Sequence, residues 1–295
     1  MFGTLLGVLF PPTAIIGLGY GWVRLGRPFD SAMLGQLALD IGMPCLALSA
    51  LASEPIPVAE FLSSAAATFV CLVVLAISGA MALRLARLRL RTYLPSVTWG
   101  NAGFLGIPLA LYAFGQPGLG YAIAFSAVSN AFNSVFSQAI SAGAIKLGAL
   151  GRMPLIHAIV IGALLQALHL RLPQFAERSV SLLGGIAIPL MLMMVGASIA
   201  RIRASALRRA IVFSLVRSLG GGAIGLVVAL LFGLSPTARN VLVLQCAMPV
   251  AVSSYVFAQR WDNEPEEVAG LVAVSTWSAA LSLPLMLVLM IGSSG

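Results

Sequence analysis

Trp99-Gly100-Asn101-Ala102-Gly103-Phe104-Leu105-Gly106-Ile107-Pro108 decides how this chain folds. The segment lies in an apolar stretch, about 95–114, long enough for one helix, yet it holds three glycines and a proline. Glycine costs about 1 kcal/mol and proline about 3 in a helix interior, so a continuous helix is a poor solution. In hydrocarbon, backbone groups freed by a break must find protein partners or line a wet cavity. The segment therefore predicts a broken helix, exposing the C-terminus of one half and the N-terminus of the other.

The flanking sequence makes hydrocarbon the natural solvent. The chain has 295 residues, of which 60% are hydrophobic and 9% charged, and its mean hydropathy is +1.02. Soluble domains carry about 25% charged residues, so this chain could not cover a water-facing surface. A bilayer core needs roughly 20 apolar residues per helix. Ten spans meet that need, at approximately 4–23, 31–53, 61–83, 95–114, 121–142, 154–170, 179–200, 209–232, 236–258 and 267–291. The links between them are short, which leaves no stretch for a separate soluble domain. The first positive charges, Arg24 and Arg27, follow the first apolar run, the reverse of the order in a cleaved signal peptide.

Loop charge sets the expected orientation. The odd-numbered links carry Arg24, Arg27, Arg84, Arg87, Arg89, Arg91, Lys146, Arg152, Arg201, Arg203, Arg208, Arg209 and Arg260, 13 in all; the even-numbered links carry only Arg171, Arg178 and Arg239, which is 3. Lys and Arg concentrate on the cytoplasmic side of membrane proteins. The odd links are therefore expected in the cytoplasm and both termini outside, in a cell (inner) membrane. The net charge of +8 then reflects anionic lipid headgroups as neighbours and not nucleic acid.

The chain also resembles itself. Ile41-Gly42-Met43-Pro44 matches Ile186-Ala187-Ile188-Pro189, and Gly17 matches Gly162, both at an offset of 145. Gly106-Ile107-Pro108-Leu109-Ala110 matches Ala247-Met248-Pro249-Val250-Ala251 at 141, and Ala127-Val128-Ser129-Asn130 matches Ala273-Val274-Ser275-Thr276 at 146. The unit holds five spans, an odd number, so the second copy runs through the membrane in the opposite sense. The expected fold is an all-α integral membrane protein of two inverted five-helix repeats, residues 1–145 and 146–295, an architecture typical of transporters.

The repeat supplies a partner for the first break. Gln245-Cys246-Ala247-Met248-Pro249 in span 9 stands opposite the glycine-rich segment of span 4 and is the less disrupted of the two. Pro108 and Pro249 suit the first positions of the second half-helices. The N–H groups exposed there favour an anion, and the carbonyls of the first halves favour a cation.

The run Asn101-Ala-Gly-Phe-Leu-Gly-Ile-Pro108-Leu resembles the helix 4 motif of the auxin efflux carrier family. Pro44, Ala247-Met-Pro249 with Ala258, and Pro284-Leu285 extend the resemblance over nearly the whole chain. It implies ten helices in an inverted repeat, a scaffold and a transport domain each drawn from both repeats, broken helices 4 and 9 that cross, a homodimer, and movement of small organic anions such as auxin or dicarboxylates. The short link at 143–153 resembles the compact bacterial members. The resemblance places Asn101, Pro108 and Pro249 at the crossing. Gly103 and Gln245 lie on the same breaks and join them as substrate-binding candidates, as does Asn130 of span 5. Asn130, Asn133 and Ser137 share a helix face that is expected to look inward.

Two charges stand out inside the spans, away from their ends. Asp40, four residues before Pro44, is a candidate proton-coupling group; the family more often has a neutral polar residue there. Arg217 in span 8 is expected to snorkel to the interface, with attraction of an organic anion or pairing with Asp40 as its other roles. Cys45, Cys71 and Cys246 read as buried apolar side chains. His157 and His169 have no metal-ligand partners at suitable spacing. Tyr255 and Trp261 suit an interfacial belt. Gly17 with Gly21, and Gly221 with Gly225, are spaced for close helix packing.

These features lead to a secondary transporter of a small organic anion, working by alternating access, with no cofactor beyond a coupling proton or sodium ion. A sodium-coupled symporter of the bile-acid type is the alternative, weakened by the lack of an acidic residue in helix 9 near Pro249. A nontransport membrane protein is the other. The chain has no H-E-x-x-H, no G-x-S-x-G and no histidine–carboxylate pair in any span, so an enzyme is not expected.

Overall fold

The structure is a computed structural model that describes residues 2–53, 56–142, 151, 153–168, 170–201 and 207–292. Lys146, Arg152, His169 and Arg203, and the boundary placed at 145/146, lie outside the described residues. Thirteen α-helices follow in order: α1 (Phe2–Arg24), α2 (Ser31–Gln36), α3 (Met43–Ser53), α4 (Val58–Leu85), α5 (Leu90–Thr98), α6 (Ile107–Ala142), α7 (Pro154–Ala167), α8 (Gln174–Gly185), α9 (Ala187–Arg201), α10 (Leu207–Leu231), α11 (Pro236–Cys246), α12 (Val252–Arg260) and α13 (Pro265–Gly292). Wide π-helical turns at Leu37–Gly42 and Ala102–Gly106 lead into α3 and α6.

Local chemistry sets the ends. Asp30 caps α2, its Oδ1 accepting from the backbone N of Ala32 and of Met33 at 3.0 Å each. Pro154, Pro236 and Pro265 open α7, α11 and α13, where their missing N–H costs nothing. Gly115, at φ 67° and ψ −157°, turns the chain inside α6 and separates the expected spans 4 and 5. Only glycine adopts that backbone readily.

Among the described residues five stretches, Ser31–Ala52, Val58–Leu85, Gln174–Arg201, Ala210–Leu231 and Pro265–Val288, are long and apolar enough to cross a membrane. Pieces such as α5 and α11, of 9 and 11 residues, fall short individually, because at about 1.5 Å per residue neither reaches across a core of about 30 Å. Large apolar side chains, among them Leu18, Leu62, Ile77, Leu182 and Leu219, are exposed along the helices, on a scale that a monomeric soluble protein does not show.

The helices pack in two sets. α1 lies along α9, and α3 lies against α7 and α8. In the second set α10 packs on α11 and α13, α4 on α5 and α6, and α6 on α11. Closest backbone approaches occur within sets. A Cβ on Gly19 would overlap the carbonyl of Met193, and one on Gly196 would overlap that of Ile16, which keeps α1 and α9 together. Gly17 and Gly21, whose spacing suited close helix packing, have nothing within 4 Å of an added Cβ; the close face of α1 is two residues away from each. In the second set Gly221 and Gly225 do carry the close approach, of α10 to α11. Between the sets lie an apolar cavity of about 310 Å³ and a mixed one of about 530 Å³.

Candidate functional site at two paired helix breaks

Helix α5 ends at Thr98, and helical backbone resumes only at Ala102. Helix α11 ends at Cys246, and α12 begins at Val252. The second break is thus the longer, against the expectation that span 9 is less disrupted. Its glycine-poor sequence hid this: Pro249 cannot donate a backbone bond, and the segment finds its partners outside its own helix.

The two breaks pair with each other. The N–H of Asn101 donates to the carbonyl of Pro249 at 2.7 Å, and the N–H of Ala251 donates to that of Trp99 at 3.1 Å. Gly100 and Val250 face each other as one antiparallel bridge between these bonds. Two unwound segments thereby satisfy in each other the backbone groups that hydrocarbon would leave orphaned. The N–H of Val250 donates to Ser275 Oγ of α13 at 3.1 Å, and Ser218 Oγ of α10 donates to the carbonyl of Ala247 at 3.1 Å.

Neither proline starts a half-helix. Pro108 is the second residue of α6, after the π turn, and Pro249 sits inside the extended pairing, three residues before α12. The wider π turn before Pro108 loosens the backbone bonding at the position where a proline ring would otherwise clash.

Arg217 is the main correction to the sequence reading. It does not snorkel: it is 3% exposed, and Nη1 donates to the carbonyl of Cys246 at 2.6 Å. Its charge therefore sits on the C-terminus of α11, the electronegative end of a helix. Glycines make room for it. A Cβ on Gly100 would lie 2.6 Å from Arg217 Nη2, and one on Gly221 would lie 2.6 Å from Nη1 and overlap the carbonyl of Cys246. Sequence offered one signal for this placement: Arg217, Gly221 and Gly225 recur every four residues, on one face of α10.

Several polar atoms near the breaks are buried without a partner among the described residues: Asn101 Nδ2, both side-chain polar atoms of Gln245, Thr98 Oγ1, Trp99 Nε1, Arg217 Nε and Ser254 Oγ. Most buried polar groups are hydrogen-bonded, so this concentration makes the paired breaks the candidate polar site. Gln245 is 0% exposed and presses on Gly106, where an added Cβ would overlap Oε1. Gly103, one turn earlier, is the open side: an added Cβ there meets nothing within 4 Å. The Trp99 ring packs on Phe132 and Phe136 of α6, centroids 6.2 and 5.6 Å away, and anchors the start of the break.

Among the sequence candidates, Asn101, Gly103, Gln245 and Pro249 lie in or beside the paired breaks, with Pro108 one turn beyond Gly103. Asn130 is exposed on α6, so the polar face expected to look inward does not bury it. Asp40 is exposed on the π turn of the other helix set, and no ion pair joins it to Arg217 among the described residues. Sequence reasoning gave no role to Ser218, Ser275 or Ser254, and read Gly100 as part of the break without seeing that it makes room for Arg217.

Long apolar helices, an apolar outer surface and buried polar breaks define a multi-pass helical membrane protein. Residues 144–287 match the family model described as Membrane transport protein, the domain of the auxin efflux carrier family. The chain therefore carries the domain of a membrane transporter. The matched range includes Arg217 and the second break. Comparison with curated proteins finds no match.

Proposed function

We propose that this protein is a secondary transporter that moves a small organic anion across the cell membrane by alternating access, with its site at the paired breaks. One observation carries the reading. A buried guanidinium, Arg217, stands at the junction against Gly100 and the Cys246 carbonyl, and the chain neighbours of these two, Asn101 and Gln245, hold buried polar side-chain atoms that have no partner among the described residues. A buried charge is costly unless paired, and among the described residues no carboxylate pairs with this one. A carboxylate substrate supplies the missing charge, while the side-chain amides of Asn101 and Gln245 supply hydrogen bonds.

In this reading the chain crosses the membrane ten times in two inverted repeats, residues 1–145 and 146–295, with the basic links cytoplasmic and both termini outside. The two helix sets act as scaffold and transport units. Their separation is supported by backbone contacts that are close within each set, with cavities between the sets. The protein is not an enzyme, needs no cofactor, binds lipid and the anion, and forms a homodimer. Arg217 beside the α11 carbonyls occupies the electrostatic position that a coupling sodium ion would take, which argues against the sodium symporter.

The test is uptake of labelled organic anions into liposomes holding the purified protein, with Asn101→Ala as the matched variant. Saturable uptake reduced about tenfold or more in Asn101→Ala is expected, the cost of about one charge-assisted hydrogen bond. Undiminished uptake by that variant would remove the breaks as the binding site.

A further inference from the structure

We infer that Ser275 and Ser218 are positioning residues: their hydroxyls hold the second break in shape as the fixed wall of the site. This rests on the anion-carrier reading and adds to it the groups that keep the site in order. Neither serine is assigned a contact with the anion.

The second break has its polar backbone tied from two sides. On the α10 side, Arg217 and Ser218 are consecutive residues and take consecutive carbonyls, those of Cys246 and Ala247, at 2.6 and 3.1 Å. A helix leaves the carbonyls at its C-terminus without partners of its own, and here a neighbouring helix supplies the cap for α11. Gly221 lets α10 come close enough, since an added Cβ would overlap the Cys246 carbonyl. On the α13 side, the N–H of Val250 donates to Ser275 Oγ at 3.1 Å, and that Oγ donates in turn to the carbonyl of Val272 at 3.1 Å. The second bond uses the hydroxyl's single proton, so its lone pairs are left for Val250. Val250 needs this acceptor. The residues flanking the Gly100–Val250 pair exchange the bridge bonds, so the N–H of Val250 itself points out of the bridge, and Val250 is 0% exposed.

The first break is held differently. Across the junction it is bonded to the second break, by Asn101 N–H to Pro249 and by Ala251 N–H to Trp99. Its own polar side-chain atoms, Thr98 Oγ1 and Asn101 Nδ2, have no partner among the described residues. An order of dependence follows. The first break takes its shape from the second, and the second takes its shape from α10 and α13 through two serine hydroxyls and Arg217. Removing the Ser275 hydroxyl leaves the Val250 N–H buried without an acceptor, which disfavours the paired arrangement. The anion then binds only the fraction of molecules that keep it, and apparent affinity falls by that fraction.

The experiment uses the full chain in liposomes and nanodiscs. It measures uptake of labelled malate, succinate and indole-3-acetate against concentration, and hydrogen exchange of the backbone across 247–252. In Ser275→Ala the half-saturating concentration should rise about tenfold, with the maximal rate within about twofold of wild type. Exchange across the second break should quicken by about tenfold or more. Ser275→Thr, which keeps the hydroxyl, should restore both, and Ser218→Ala should shift both in the same direction. Ser214→Ala is the control. Ser214 is also buried on α10, one turn before Ser218, and its Oγ donates to the carbonyl of Ala210 in its own helix at 2.7 Å; uptake and exchange should stay as in wild type.

Folded Ser275→Ala with unchanged half-saturation and exchange would overturn the inference and leave the anion-carrier reading standing. A lower maximal rate at unchanged half-saturation would also overturn it, since Ser275 would then act in the movement and not in holding the site. An equal shift in Ser214→Ala would overturn it as a general loosening of the helices. If Ser275→Ala does not fold, Ser218→Ala decides, and an unshifted half-saturation there overturns the inference. Absence of uptake of all three anions by folded wild type would overturn both this inference and the reading on which it rests.

Discussion

Replacing Arg217 with methionine should make the protein more stable and less active. The guanidinium is 3% exposed, and among the described residues its hydrogen bond is to the Cys246 carbonyl at 2.6 Å. Removing such a group from water costs several kcal/mol after relaxation, taken here as about 5. A hydrogen bond from a charged donor returns about 2–3 kcal/mol, and the helix C-terminus about 1. About 1–2 kcal/mol remains set against the folded state. Methionine keeps the apolar stem of the side chain and removes the charge. The thermal midpoint in detergent should therefore rise by roughly 2–5 °C for a chain of this size. Anion binding should fall by about 10²-fold or more, because losing one member of a buried charge pair costs about 2–5 kcal/mol. Fluorescence-detected thermal unfolding and anion binding on the same preparation measure both. A variant that is clearly less stable yet binds and transports anion normally would refute the reasoning, since Arg217 would then be a structural brace and not a charge held for a ligand.

Gly106→Ala should abolish uptake and lower stability by about 1–3 kcal/mol, the usual cost of overpacking, because its Cβ overlaps Gln245 Oε1; expression, thermal midpoint and uptake check this together. Gly103→Ala, whose Cβ meets nothing within 4 Å, should fold normally and lose uptake, so normal uptake in this variant would remove Gly103 from the substrate's path. Gly19→Ala should destabilise the α1–α9 contact by about 1–3 kcal/mol, whereas Gly21→Ala, with open space around it, should gain up to about 1 kcal/mol of helix propensity; equal midpoints for the two would refute the assigned packing face. Replacing external sodium with choline should change uptake less than about twofold, because Arg217 already neutralises the α11 carbonyl end; strict sodium dependence would restore the symporter reading.

Sequence alone determined the solvent, the helical class and where the helices fail. These properties follow from one-dimensional quantities: apolar run length, the cost of glycine and proline in a helix, and the periodic recurrence of both. The segment 99–108 could be read as a break because its defect is local, written in Gly100, Gly103, Gly106 and Pro108. Span 9 looked milder because its defect is not local. Its unwinding depends on pairing with 99–101, a contact 150 residues away in sequence at Gly100 and Val250.

The tertiary structure decided what the polar residues face. Helical spacing alone gave Gly17 and Gly21 the packing role that Gly19 performs, because periodicity defines a stripe without saying which stripe meets a neighbour. Arg217 is the clearest case. A lone arginine eight or so residues into a span can reach the interface by extending its side chain, and sequence offers no reason for it to turn inward. Only the folded chain places Gly100 and Gly221 where the guanidinium needs room and the Cys246 carbonyl where it needs an acceptor. That carbonyl is exposed because α11 stops there, and α11 stops because the two broken helices complete each other's backbone.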